Sequence, residues 1–455
     1  MKKFSEVYGK ANSVTLNVTN NCNLDCVYCF EKEKTPAMMP PEIAIEAIDK
    51  MYNKLEGREA FTINFFGGEP LLNWKTIKAV IDHCNEKNYV VRYGITTNLT
   101  ILTDEMLDYF DDVNMPLLVS IDGIKEIHDR NRCNSYDRVI ANFKKLIDRG
   151  LGQYIETRFT IMPHDIKYTL QGMKELFDLG INNFCPMPVT DTEWDDESLE
   201  ECRKFYKDCN EWFLSIVSDP KNKRNVSIKN IDDLLRNVLM PEQNDPFMCP
   251  IFGNGWCTID WRGKVYACHQ GPTSEMPFKE DLCIGDLDMV DEKKIKTIMP
   301  KADYPKERCK NCIGKSICKC GCPVENMRET GSYTTATKAY CDLKCIMVEA
   351  SRETQKELLK LEVSHNRALT QVKESMKVKE YVDKIFNETD LSMENNLQLI
   401  TQITHLNEMI DNLGGEHYLV PGFRDYINDK LKRFLVALAT HDHAYIRNKY
   451  REVKD

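Results

Sequence analysis

Long apolar runs are missing from this chain of 455 residues. The stretch around Leu117 to Ile121 is far short of the ~20 residues that span a bilayer. The start, MKKFSEVYGK, lacks the apolar segment of a secretory signal. A cytoplasmic protein with no membrane partner is therefore expected. A basic excess is missing too: 61 Lys+Arg stand against 71 Asp+Glu, a net charge of −10, so there is no electrostatic footprint for nucleic acid. Internal repeats and low-complexity tracts are absent. The nine histidines form no close pair at helical metal spacing except His441 and His443 in the tail, read as decorating a solvated helix end. Hydrophobic residues make up 42% and charged ones 29%, the balance of a globular chain able to bury several cores. At ~100–200 residues per domain, about three domains are expected.

Cysteine, by contrast, is abundant. The chain has 19 cysteines, an odd number in a long sequence without a secretory signal, which disfavours a disulfide framework. Most fall into an N-terminal triplet and an array beginning at Cys249. Such clustering suits reduced thiolates that ligate metal.

Up to about residue 190, β-rich runs alternate with helical spacing: VTLNVT (14–19), FTINFFG (61–67), RYGITTN (92–98), PLLVSID (116–122), YIETRFTI (154–161) and NNFCPMPV (182–189). The order β, α, β, α predicts an α/β fold with a parallel sheet curved into a partial (β/α)6 barrel, with ligands at the C-terminal ends of its strands. Residues 195–240 read as helical and lead out of the sheet, giving a first domain over 1–240. Residues 241–350 are rich in Cys, Gly and Pro with little periodicity, a loop-rich module held by metal. Residues 351–455 read as a helical extension: Leu399, Ile400, Ile403, Leu406, Ile410 and Leu413 trace one face before Gly414 and Gly415. Phe423, Tyr426, Ile427, Leu431, Phe434, Leu435 and Leu438 trace another after Pro421.

Cys22, Cys26 and Cys29 follow the first strand in CNLDCVYC, on the first loop at the site-bearing face. Three thiolates on a short loop can hold three irons of a [4Fe–4S] cubane and leave the fourth open, the mark of a reactive rather than a structural site. A zinc site borrowing a distant fourth ligand, or three packed thiols, is the plainer alternative. The C-x3-C-x2-C spacing, with Tyr28 before the third cysteine, resembles the hallmark of the radical S-adenosylmethionine (radical SAM) superfamily. The resemblance implies that S-adenosylmethionine chelates the open iron and that an electron from the cluster cleaves it to a 5′-deoxyadenosyl radical, which takes a substrate hydrogen. Gly67-Gly68-Glu69-Pro70 after strand two resembles the family's GGEP motif, which contacts the amino end of the cofactor. Thr97 and Asn98, Ser120 and Asp122, and Arg158 match positions that in relatives contact its ribose or carboxylate.

From Cys249 the spacing C-x13-G-x4-C, then C-x2-C-x5-C-x3-C, then a further cysteine, resembles the SPASM domain, which in relatives binds two auxiliary [4Fe–4S] clusters. By that resemblance Cys249, Cys268 and Cys322, with Cys257 as a candidate fourth ligand, serve one cluster. Cys309, Cys312, Cys318 and Cys341 serve the other, and Gly263 is the pattern's glycine. Cys320 and Cys345 are extra thiols able to substitute, and two zinc sites have suitable ligand chemistry as well. Cys84, Cys133, Cys185, Cys202, Cys209 and Cys283 read mostly as small buried hydrophobes.

Relatives with this auxiliary domain modify peptides or proteins. The implied activity is that of a radical SAM oxidoreductase that crosslinks a ribosomally made, Cys-containing peptide, with a thioether as the favoured bond. Carbon–carbon crosslinking, epimerisation, and Cys/Ser oxidation to formylglycine of the anaerobic sulfatase-maturing kind stay open. In that last group an Asp acid/base follows the cysteine matching Cys268, whereas His269 stands here, able to move a proton or simply to orient and pack. Implied partners are a precursor peptide or protein, a flavodoxin or ferredoxin as reductant, and a separate leader-peptide-binding protein, since only thirteen residues precede strand one. The helical extension is an alternative device for peptide recognition or self-association, or a plain packing element. A zinc-stabilised interaction protein without turnover is the competing class; it leaves the GGEP loop unexplained.

Overall fold

A computed structural model describes residues 1–31, 34–52, 60–237, 249, 255–272, 276–298, 309–315, 318–361, 366–388, 423 and 427. The expected apolar helix faces between Leu399 and Leu438 lie outside these residues, apart from Phe423 and Ile427.

Twelve strands form one sheet: β1 (Lys2–Lys3), β2 (Ser13–Thr19), β3 (Phe61–Gly67), β4 (Val91–Thr97), β5 (Leu117–Ser120), β6 (Ile155–Ile161), β7 (Asn183–Pro188), β8 (Ser227–Ile228), β9 (Trp256–Ile259), β10 (Lys264–Tyr266), β11 (Cys283–Asp286) and β12 (Met289–Val290). Their order is β1-β12-β11-β10-β9-β2-β3-β4-β5-β6-β7-β8. Strands β2 to β7 are the six read from the sequence, and each neighbouring pair is parallel. Helices fill the crossovers: Pro41–Met51, Trp74–Glu86, Asp104–Asp112, Lys125–Asn131 with Tyr136–Asp148, and Ile166–Leu179.

Local chemistry explains these elements. Pro41 opens its helix at N1, where its missing N–H costs nothing, and Ala44, Ala47, Ile48 and Met51 at helical spacing are all buried. Thr103 caps the next turn by accepting from Met106 N at 3.2 Å. Along β3 and β6 fully buried residues alternate with half-buried ones, so one face of each strand is a closed core while the other keeps access to the barrel interior. That accessible face carries Thr62, Asn64, Gly94, Glu156, Arg158 and Thr160. The interior is polar rather than packed with aliphatic side chains.

β9 pairs in parallel with β2, matching Val14 to Cys257, and β9 to β12 form an antiparallel extension that ends on β1. Gly263, at φ +77, makes the β9–β10 hairpin turn, donating its N–H to Asp260 O at 2.9 Å. The chain divides into two compact units. One takes Met1–Glu211, Ile228–Asn230 and Asn244–Ser351, so the parallel strands β2 to β7 and the cysteine array lie together. The other takes Trp212–Ser227, Ile231–Gln243 and Arg352–Asp455. Within the second unit Asn366 Nδ2 donates to Val226 O and Gln355 Nε2 to Leu234 O, both at 2.8 Å. Leu358, Leu369, Val372 and Val378 are fully buried. None of the described helices is long and apolar enough to cross a membrane.

Candidate active site

Cys22, Cys26 and Cys29 lie half-buried on the loop after β2. The β3 end is pressed against that loop. A Cβ on Gly67 would stand 2.2 Å from Thr19 O, and one on Gly68 would stand 2.2 Å from Asn21 O and 3.1 Å from Cys22 Cβ. Only glycine lets the two backbones approach this closely, and Gly67 also sits at φ +138. The approach is sealed by Gly68 N donating to Thr19 O at 3.0 Å and Glu69 N to Asn21 O at 2.8 Å.

Glu69 is fully buried. Its Oε1 accepts from Thr97 Oγ1 at 2.7 Å and Leu71 N at 3.1 Å, and its Oε2 from Asn98 N at 2.7 Å. Burial pushes its carboxyl up to about 7, against the pull of these three donors. A cation arriving here would restore full ionisation. Thr97 also accepts from Leu99 N at 2.9 Å, so its hydroxyl is committed to holding Glu69. Asn98 Nδ2 reaches Cys22 Sγ at 3.9 Å and Asn23 Oδ1 at 2.9 Å.

Asp122 is committed as well. Oδ1 accepts from Arg132 Nη2 and Thr160 N, both at 3.1 Å, while Oδ2 faces Arg132 Nε at 3.0 Å and accepts the Tyr28 hydroxyl. Its carboxylate serves the cysteine loop rather than standing free for a ribose, and no local sequence pattern marks Arg132 as its partner. Ser120 ends β5 in register with Arg158 of β6. Arg158 Nη1 donates to Cys185 Sγ of β7 at 3.4 Å, and its charge reaches His269 and Glu325.

His269 is ringed by Phe66, Phe30 and Trp256 at centroid distances of 4.9, 6.2 and 6.4 Å. Burial, then Arg158, pushes its imidazole down to about 4, so it is neutral at physiological pH. This aromatic setting is invisible in the sequence, since the rings come from three separate segments. Asn17, fully buried beside Gly67, has no hydrogen-bond partner for its carboxamide among the described residues.

The donor set suits an iron–sulfur cluster. Leu24 N points at Cys22 Sγ at 3.5 Å, Asn98 Nδ2 also faces it, and Arg132 Nη1 faces Cys26 Sγ at 3.9 Å, so N–H groups aim at the sulfurs where ligated thiolates carry negative charge. Burial raises both thiols, Cys22 to about 12, so ionisation calls for a cationic centre. In the second array Cys249, Cys268 and Cys322 lie within electrostatic reach of one another. Cys257 is buried on β9, within electrostatic reach of the neutral Tyr8. Cys320 feels Cys318, Cys309 and Cys341, while Cys345 Sγ lies 3.7 Å from Cys312 Sγ. Six thiols therefore gather where four were expected to ligate. Among the described residues no three His, Cys, Asp or Glu side chains converge on a single metal ion.

His128 supports the Asp122 corner: Nδ1 accepts from Asp122 N at 3.3 Å, and Nε2 pairs with Ser135 Oγ at 2.8 Å. Burial and the Arg132 charge push it down to about 4. The unfolded chain then binds the extra proton first, so stability on the order of 3 kcal/mol, present above pH ~6.5, is lost as pH falls toward 4. His128→Gln can keep both bonds without titrating. Its melting midpoint should fall less than that of wild type across this window, and parallel curves would contradict the assignment.

The cysteine loop is thus pinned by two glycines at the C-terminal ends of the parallel strands. Residues 16–166 match the Radical SAM superfamily. The chain is 26% identical over 331 residues to a cysteine-type anaerobic sulfatase-maturating enzyme of Clostridium novyi (strain NT), covering 67% of this chain and 85% of that protein. The structure of native anSMEcpe with bound AdoMet and Cp18Cys peptide superposes with a TM-score of 0.61 at 19% identity, covering 76% of this chain and 98% of that one. Streptococcus suis SuiB bound to precursor peptide SuiA gives 0.51 at 15%, covering 74% and 77%. Residues 16–166 thus match a radical SAM domain, and the chain is similar in sequence to an enzyme that matures sulfatases and in fold to structures solved with AdoMet or a precursor peptide.

Proposed function

We propose that this enzyme installs a thioether crosslink in a ribosomally made, Cys-containing peptide. The observation that carries this reading is the grouping of Cys249, Cys268 and Cys322. Three thiolates on a cubane would leave one iron for a substrate thiolate. Cys309, Cys312, Cys318 and Cys341, with Cys320 and Cys345 close by, would hold a second auxiliary cluster.

Cys22, Cys26 and Cys29 would hold the catalytic cluster, with Gly67, Gly68 and Glu69 receiving the amino end of S-adenosylmethionine. When bound, cluster and cofactor together supply the radical that takes a substrate hydrogen. The chain's own residues do the rest. Thr97 and the Asn98 N–H orient Glu69, and the Asp122–Arg132–Tyr28 group fixes the loop. Ser120 and Arg158 are register partners on adjacent strands, and neutral His269 packs among Phe66, Phe30 and Trp256. Asn17 brings a buried carboxamide without a partner among the described residues to the barrel, suited to a peptide amide. The likeness to the Clostridium novyi sulfatase-maturating enzyme favours oxidation of a protein Cys or Ser as the second reading. A flavodoxin or ferredoxin reductant, a separate leader-binding protein and a cytoplasmic location belong to the same proposal, as do domains over 1–240, 241–350 and 351–455.

Coexpression with candidate Cys-containing precursor peptides tests it. A thioether gives a product lacking one hydrogen pair whose cysteine resists alkylation. The same mass loss with the thiol still alkylatable would contradict it in favour of a carbon–carbon bond, and an aldehyde-reactive product would point to formylglycine.

A further inference from the structure

The corner between the helices Lys125–Asn131 and Tyr136–Asp148 grips the cysteine loop at several points. Val27 N donates to Asn131 O at 3.1 Å and Asp25 N to Cys133 Sγ at 3.2 Å. Arg132, with 5% of its surface exposed, turns inward from this corner. Its Nη2 donates to Asp122 Oδ1 at 3.1 Å, its Nε lies 3.0 Å from Oδ2 as an ion-pair contact, and its guanidinium lies 5.2 Å from the Tyr28 ring centroid. Nη1 faces Cys26 Sγ at 3.9 Å. Taking a guanidinium out of water is costly unless it is paired and hydrogen-bonded, and Asp122 supplies that pairing. The resulting ion pair is a buried dipole whose positive end faces Cys26.

The corner's backbone is unusual in the same place. Cys133 and Asn134 are consecutive non-glycine residues at φ +56 and +53, a conformation that persists only where surrounding bonds impose it. Asn134 N donates to Asp129 O and Tyr136 N to Asp129 Oδ1, both at 2.9 Å, and Ser135 Oγ donates to Arg132 O at 2.7 Å. This turn aims Arg132 into the barrel mouth.

We propose that Arg132 is a positioning residue for the catalytic cluster: it donates to Cys26 Sγ, fixes that ligand, and makes the cluster easier to reduce. Reduction adds negative charge to the ligand sulfurs, and a buried N–H and positive charge beside one of them favour the reduced state. The inference rests on reading Cys22, Cys26 and Cys29 as the cluster site.

The test compares full-length wild type, Arg132→Lys and Arg132→Met after anaerobic reconstitution, by iron count, circular dichroism and a redox titration of the electron paramagnetic resonance signal that added S-adenosylmethionine perturbs. Arg132→Lys keeps charge and iron but loses the pair of Nη donors that reach Asp122 and Cys26 together. Its cluster should be about tenfold harder to reduce, a potential about 59 mV more negative for one electron. Arg132→Met should shift further, or lose about four iron while keeping the rest and its dichroism. Full iron and wild-type potential in both variants would overturn the proposal. So would loss of all iron together with the dichroism, which would make Arg132 a general folding residue. A wild type without any S-adenosylmethionine-sensitive signal would instead show that the cluster reading itself had failed.

Discussion

Gly68→Ala loses the catalytic cluster, about four iron per chain, and lowers 5′-deoxyadenosine formation by about 10²-fold or more, the scale on which a 1 Å misplacement acts. The added Cβ would meet Asn21 O at 2.2 Å and Asn21 C at 2.6 Å. These are backbone atoms with no rotamer by which to yield, so β3 and the cysteine loop must part. Parting breaks the Gly68–Thr19 and Glu69–Asn21 hydrogen bonds and displaces Cys22, the next residue. Gly94→Ala is the matched control. Its Cβ meets Asn64 Oδ1 at 2.9 Å, the tip of a side chain that can turn away, so iron content and cofactor cleavage should stay near wild type. Iron analysis with a 5′-deoxyadenosine assay on both variants decides; equal behaviour of the two would remove the close approach from the account.

Cys26→Ala is expected to abolish cofactor cleavage while the auxiliary iron remains. Cys26 is the triplet member facing Arg132, and losing it leaves two thiols on a loop whose other contacts survive: Val27 N to Asn131 O and Tyr28 to Asp122. The chain should therefore fold, bind fewer irons by about four, and stay silent with dithionite and S-adenosylmethionine. Retained cleavage would mean that the reacting cluster is held elsewhere.

The barrel was legible because its strands repeat a local pattern. In β3 and β6, alternation of Phe61, Ile63 and Phe65 or of Ile155, Thr157 and Phe159 with less buried residues is written in seven consecutive positions. The strands β9 to β12 run two to four residues each, too short for a period to show. The pairing of β9 with β2 joins residues some 240 positions apart, which no window can see. The same limit applies at the site. The cysteine triplet and the glycine pair announce themselves because the members of each are neighbours in sequence. By contrast Asp122 looked free for a ligand until the fold brought Tyr28, Arg132 and Thr160 onto its oxygens. Thr97 likewise proved to be a support for Glu69. Cys257 matches the spacing of a ligand and lies within electrostatic reach of Tyr8, while Cys268 lies within reach of Cys249 and Cys322, relations that no spacing states. Spacing records which residues are near along the chain, and side-chain direction in a sheet is decided by register.

The most direct measurement is iron and acid-labile sulfide counting on the anaerobically reconstituted full-length protein, with dithionite-driven cleavage of S-adenosylmethionine assayed on the same sample. The account predicts about twelve iron and as many sulfides per chain, three cubanes, together with 5′-deoxyadenosine. A colourless protein that holds zinc and leaves S-adenosylmethionine intact would contradict it.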